Sequence, residues 1–301
     1  MSCINGTGPI NISLTDITNK CDYKCAYSFN YNNSTCVATH NDNYISLGYD
    51  NQSAPPVLYN SAGYNVKEIR IYTPSLHSYS GNKTDGEIII VHNCVTGARP
   101  LLVCIPIRLN GSSNEGSNIL SSIVSAMVKN APSEGESTTV NVSRFNLNSF
   151  VPRKPYYSYS ATEPYQPCSA NVDYVVFDSS DAINISAETL QQFRSIIQQN
   201  VYDVKSGPLL FYNEKGPSQG NASGDEIYID CQPVGHSDEQ TTVITQQSTP
   251  VTYYDLLQNP FLMGIIFILL IFFVLYATKK VLDMFKPSRG GGIQGGSIYN
   301  K

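Results

Sequence analysis

The chain has no tryptophan, four methionines and four histidines in 301 residues, and only 14% of the residues are charged. So small a charged fraction argues against long solvated surface helices. A positive charge excess is missing too, since the formal net charge is −5. The basic residues Lys279, Lys280, Lys286, Arg289 and Lys301 are gathered in the last segment, against Asp283 alone. With that segment set aside, 14 basic and 23 acidic residues remain, a net of −9. A body this acidic is a poor partner for nucleic acid or other polyanions. No segment repeats, and the opening MSCINGTGPINISL lacks the basic start and apolar core of a signal peptide.

What is abundant is Asn, Ser, Thr and Tyr, which suits strands and polar loops. Residues 1–235 read as one β-rich domain. Strands are expected at 68–72, 87–92, 101–109, 173–177 and 226–230, separated by Gly, Pro and Asn. A helix over 118–128 would bury Ile119, Ile123 and Met127. Another over 187–199 would start from Ser186 as N-cap and bury Leu190, Phe193 and Ile197. Residues 236–257 form a polar stalk. The run 261–277 (FLMGIIFILLIFFVLYA) is uninterrupted and apolar, and with its flanks predicts a membrane span over 258–278. A basic, glycine-rich tail, 279–301, follows. The tail favours the cytosolic side. The missing signal peptide instead leaves the large domain in the cytosol, so topology stays open.

Eight cysteines, an even number, suggest disulfides. Cys21-x3-Cys25 with Cys36 has no second cysteine or histidine pair at finger spacing, which disfavours a metal site. Cys94 and Cys104 flank an expected hairpin turn and could form one bridge.

Three segments, taken in order, resemble the α-carbonic anhydrase family. The first is Gly8-Pro9-Ile10-Asn11-Ile12. The second runs from Ile69-Arg70-Ile71-Tyr72 through Ser75-Leu76-His77 to Asp85-Gly86-Glu87-Ile88-Ile89-Ile90-Val91-His92. The third spans Tyr157-x-Tyr159 to Pro167-Cys168, with Val172-x-Tyr174-x-Val176, Ile183-Asn184-Ile185-Ser186 and Phe193-Arg194 behind it. The resemblance covers about residues 3–230. It implies a mainly β fold with a few short helices around a central twisted sheet, to which the sequence adds one C-terminal transmembrane helix.

In that family three histidines hold zinc, and the resemblance puts Arg70, Tyr72 and Ile89 at their positions. The supporting glutamate and threonine positions carry Leu76 and Pro164. No metal, no cofactor and no enzyme activity are therefore expected. His77, Glu87 and His92 fall on structural positions, with a buried His77–Glu87 hydrogen bond expected. Cys168 matches a family cysteine whose partner position is Cys3. The layout is similar to that of poxvirus virion membrane proteins that carry an anhydrase-like domain and bind cell-surface glycosaminoglycans. It implies a single-pass virion membrane protein, made on host intracellular membranes, whose partners are capsid or other virion proteins. The alternative is a surface adhesin for host glycans, for which Arg70, Lys67, Arg99, Arg108, Arg153 and Lys154 are the available cations. Sequons at Asn5, Asn33, Asn82, Asn141 and Asn221 carry little weight in a chain so rich in Asn, Ser and Thr.

Overall fold

The computed structural model describes residues 3, 5–21, 24–142, 144–199, 202–218 and 260–284, with side chains of the last segment described at 269–281. The first strands are β1 (Asn11–Ile12), β2 (Ile17–Lys20), β3 (Tyr27–Phe29), β4 (Val37–Asn41), β5 (Tyr44–Leu47), β6 (Val57–Tyr59), β7 (Ala62–Tyr72) and β8 (Ser78–Tyr79). They are followed by β9 (Asn82–Lys83), β10 (Gly86–Cys94), β11 (Leu101–Leu109), β12 (Ser137–Thr139), β13 (Tyr156–Thr162), β14 (Asn171–Phe177), β15 (Ile183–Ile185) and β16 (Leu210–Asn213). The α-helices are α1 (Glu115–Asn130), α2 (Ala187–Ile196) and α3 (Pro260–Met284). By its contacts the chain divides into Met1–Ile227 and Tyr228–Lys301.

One 13-stranded sheet organises the first unit, along the path β12-β4-β5-β7-β10-β11-β14-β13-β16-β2. Its centre is long and β-branched. β10 and β11 pair antiparallel from Gly86 opposite Ile107 to His92 opposite Leu101, and seven consecutive residues of each strand are buried. Continuous apolar runs of this kind belong to strands covered on both faces. Glycine is required at the start of β10, because a Cβ on Gly86 would lie 2.6 Å from the Tyr72 carbonyl oxygen.

Alternation sorts the side chains into two cores. One face packs Ile69, Ile71, Ile88, Ile90, Val103 and Ile105 under α1 and α2. The other packs Tyr72, Leu76, Ile89, Cys104, Tyr159 and Tyr174. α1 starts where the Asn114 side chain accepts the Ser117 N–H at 2.9 Å, and α2 where Ser186 accepts that of Thr189 at 3.1 Å. Caps of this type contribute about 1 kcal/mol each.

The strands expected at 68–72, 87–92, 101–109 and 173–177 lie inside β7, β10, β11 and β14. The one at 226–230 lies outside the described residues, as do the stalk and the tail beyond Met284. α2 is shorter than expected. It ends at Ile196, because Ile197 turns extended (φ −117°, ψ 131°) and still buries its side chain.

Disulfides join Cys3 to Cys168 and Cys21 to Cys25. The expected Cys94–Cys104 bridge is corrected: both thiols are free. Cys104 stands opposite Ile89 in the ladder, five positions from Cys94 along β10. At about 3.3 Å per residue that separation is far beyond disulfide reach.

Among the described residues no helix is long and apolar enough to cross a membrane. In α3 this concerns residues 269–281, the part of the 25-residue helix whose side chains are described.

Candidate functional site

β7 and β10 bring the three expected ligand positions together. Their antiparallel register sets Ile89 opposite Arg70 and Glu87 opposite Tyr72. Residues 70 and 72 lie two apart and so share a face with Ile89. Tyr72 is 2% and Ile89 0% exposed. None of the three offers a metal a usable lone pair. A guanidinium donates only, an alkyl chain offers nothing, and burial holds the Tyr72 phenol well above its ordinary pKa. Leu76 is wholly buried beside them, and Pro164 is also buried.

Arg70 fills this end of the site. Its Nε and Nη2 both lie 2.8 Å from Glu68 Oε2, and Nη1 donates to the Tyr72 hydroxyl at 3.4 Å. The guanidinium carbon sits 3.8 Å from the Tyr165 ring centroid and 4.8 Å from that of Tyr44. Tyr72 packs on Tyr44 at 5.3 Å and edge-on to Tyr202 at 6.0 Å, and Asn43 donates to the Tyr202 hydroxyl. Three tyrosines thus contact one cation, with Tyr202 packed behind Tyr72, and cation–π attraction reinforces the ion pair. Burial works against the charge of Arg70, but Tyr72, Tyr165 and Glu68 outweigh it and the group stays protonated.

Deeper in the same face, Glu87 Oε1 lies 2.6 Å from His77 Nδ1. Oε2 accepts the Leu76 and His77 backbone N–H groups at 2.7 and 3.1 Å. His77 Nε2 meets the Tyr159 hydroxyl at 2.6 Å. Burial alone would raise the Glu87 pKa, yet the charge and hydrogen bonds of His77 and the Leu76 N–H hold it below the usual carboxylate range. Cys104 places its thiol near this pair: His77, Glu87 and Cys104 all have ligand atoms within 4.8 Å of one another. They make a poor cation site. Both imidazole nitrogens and both carboxylate oxygens are engaged, and burial pushes the thiol up so that it keeps its proton.

His92 is apart from both groups. Its Nδ1 lies 3.2 Å from the Leu101 carbonyl, so that nitrogen carries the proton and Nε2 accepts from Tyr31 at 2.9 Å. Tyr31 in turn contacts the Tyr27 hydroxyl at 3.2 Å. Burial lowers the His92 pKa to about 4, so the ring is neutral.

Sequence reading found Arg70 but missed the groups that hold it. Glu68 was legible as the residue two before Arg70 on the same strand face. Tyr44, Tyr165 and Tyr202 come from β5 and two distant loops, and nothing in their local sequence announces them.

A model of the eukaryotic-type carbonic anhydrase family matches residues 5–209. A search of curated protein sequences gives no match. Among solved structures, the chain is similar to the α-carbonic anhydrase of Thermovibrio ammonificans in complex with sulfanilamide. There the identity is 20% and the TM-score 0.58, over 68% of this chain and 86% of that one. Cah3 of Chlamydomonas reinhardtii, in complex with acetazolamide, gives 17% and 0.59 over 70% and 91%. Dioscorin complexed with ascorbate gives 16% and 0.59 over 71% and 87%. At these identities the likenesses establish the fold.

Proposed function

This chain belongs to the eukaryotic-type carbonic anhydrase family, and from that premise we propose that it is a catalytically silent member anchored in a membrane by α3. One observation carries the reading: a guanidinium paired with Glu68 and caged by tyrosines occupies a position where the family has a zinc-binding histidine. The other two positions, Tyr72 and Ile89, are no better suited, so the residues present do not fit the family's metal. Leu76 and Pro164 likewise lack the atoms that would orient a metal-bound hydroxide.

Support for the span comes from α3 itself. Its 25 residues would extend about 37 Å at 1.5 Å each, longer than the hydrocarbon core. Residues 269–276 are all large and apolar, and every one of them is at least 47% exposed. Water does not tolerate eight such residues in a row, whereas lipid does.

A silent, anchored domain acts through contact. We read it as a structural, minor capsid component of a virus particle that ties an internal membrane to the shell. The glycosaminoglycan-adhesin alternative is weaker, because three of its six cations are already engaged. Arg70 is held by Glu68, Arg99 faces Asp173 at 4.0 Å, and Arg153 lies 4.9 Å over Phe29. Limited proteolysis of purified particles tests the choice. A domain that resists protease until the shell is stripped fits the tether; cleavage on intact particles would place it outside and remove that reading.

A further inference from the structure

A second concave site lies on the sheet face opposite the tyrosine-caged arginine. It is a cavity of about 450 Å³, well within the range of small-molecule sites. Its floor is β13, β14 and β16, through Ser158, Ser160, Asp173 and the Phe211 ring. One wall carries Lys20, Cys21, Lys24 and Cys25; the other is the turn at Asn60. A disulfide ties Cys21 to Cys25 in the first, and Asn60 and Ser61 hold left-handed φ values of 48° and 65° in the second.

We propose that this cavity binds a neutral pyranose, such as the terminal sugar of a glycan. Two polar pairs line the floor: Ser158 with the Tyr59 hydroxyl at 3.0 Å, and Ser160 donating to Asp173 Oδ1 at 2.6 Å. Asp173 Oδ2, the Asn60 amide and the Lys24 ammonium have no partner among the described residues. An acceptor and donors thus converge around an aromatic floor. A sugar matches that set, since each hydroxyl both donates and accepts and the C–H face of the ring lies on apolar carbon. Charge disfavours a sulfated or phosphorylated ligand. Lys20 is paired with Glu214, Arg99 with Asp173, and only Lys24 is left over. The site does not depend on whether the anhydrase centre is silent, so metal and activity measurements are unaffected by its failure.

The test is saturation-transfer NMR on the full chain in a sugar-free detergent. The probes are the methyl glycosides of galactose, glucose, mannose and N-acetylglucosamine. At least one glycoside should receive saturation through its ring protons. Ser160→Trp, which puts an indole at an exposed strand position on the cavity floor, should abolish it. Asn60→Gly removes one amide from a backbone that glycine adopts freely, and should weaken binding roughly fivefold at an unchanged unfolding midpoint. The proposal fails if none of the four glycosides responds, if the signal survives Ser160→Trp, or if only a heparin hexasaccharide binds.

Discussion

His92 and Glu87 are wholly buried, and their titrations separate on the pH axis. The folded pKa of His92, about 4, lies below its unfolded value near 6.5. The unfolded chain therefore binds more protons in that window. Stability is complete above pH ~6.5, falls as pH drops, and is reduced by about 3 kcal/mol once pH is below ~4. Glu87 is also depressed, so its contribution is present above the unfolded carboxylate value of ~4.3 and disappears only below it. Urea titrations from pH 7 to 4 should show this loss, and His92→Gln should flatten the slope. A wild-type curve flat over that range would contradict the assignment.

The ligand positions allow a constructive test at the same scale. β7 and β10 still hold 70, 72 and 89 on one face in register. Arg70→His, Tyr72→His and Ile89→His together should restore binding of one zinc per chain, read by metal analysis or by the visible spectrum of a cobalt substitute. Hydration activity should stay absent, because Leu76 and Pro164 remain. Failure to bind metal in a folded triple variant would mean that the strands no longer present the family's geometry.

At the scale of elements, the strands at 68–72, 87–92, 101–109 and 173–177 were legible from apolar runs bounded by turn residues, and the cap of α2 because Ser186 stands directly before an apolar stripe. The Asn114 cap, which starts α1 three residues before the expected 118, was not read. What local sequence could not give was register. Cys94 and Cys104 flank a turn in sequence, yet the ladder sets Cys104 against Ile89 and leaves both thiols free. The end of α2 was missed for a similar reason, since Ile197 continues the apolar stripe after the backbone has left the helix. The two disulfides close very different loops, with sequence separations of 165 and 4. In the chain-entropy picture the long one constrains the unfolded state by about 3 kcal/mol more. Cys3→Ser with Cys168→Ser should accordingly lower the urea midpoint well beyond Cys21→Ser with Cys25→Ser. Equal losses would show that native-state packing, not loop closure, sets their value.

At the scale of the whole first unit, a two-sided sheet packs one core under its helices and the other largely around tyrosines. The resemblance placed Arg70, Tyr72 and Ile89 at the family's ligand positions. The tyrosines around Arg70 it did not give, because Tyr44, Tyr165 and Tyr202 are brought together only by the folded sheet. The central claim is that this anhydrase fold runs no anhydrase chemistry. Its most direct test is one preparation of the full chain, loaded with excess zinc, dialysed, and assayed for bound metal and for CO2 hydration. The account predicts less than a tenth of a zinc per chain and hydration at the buffer rate. One zinc per chain together with hydration far above the buffer rate would contradict it.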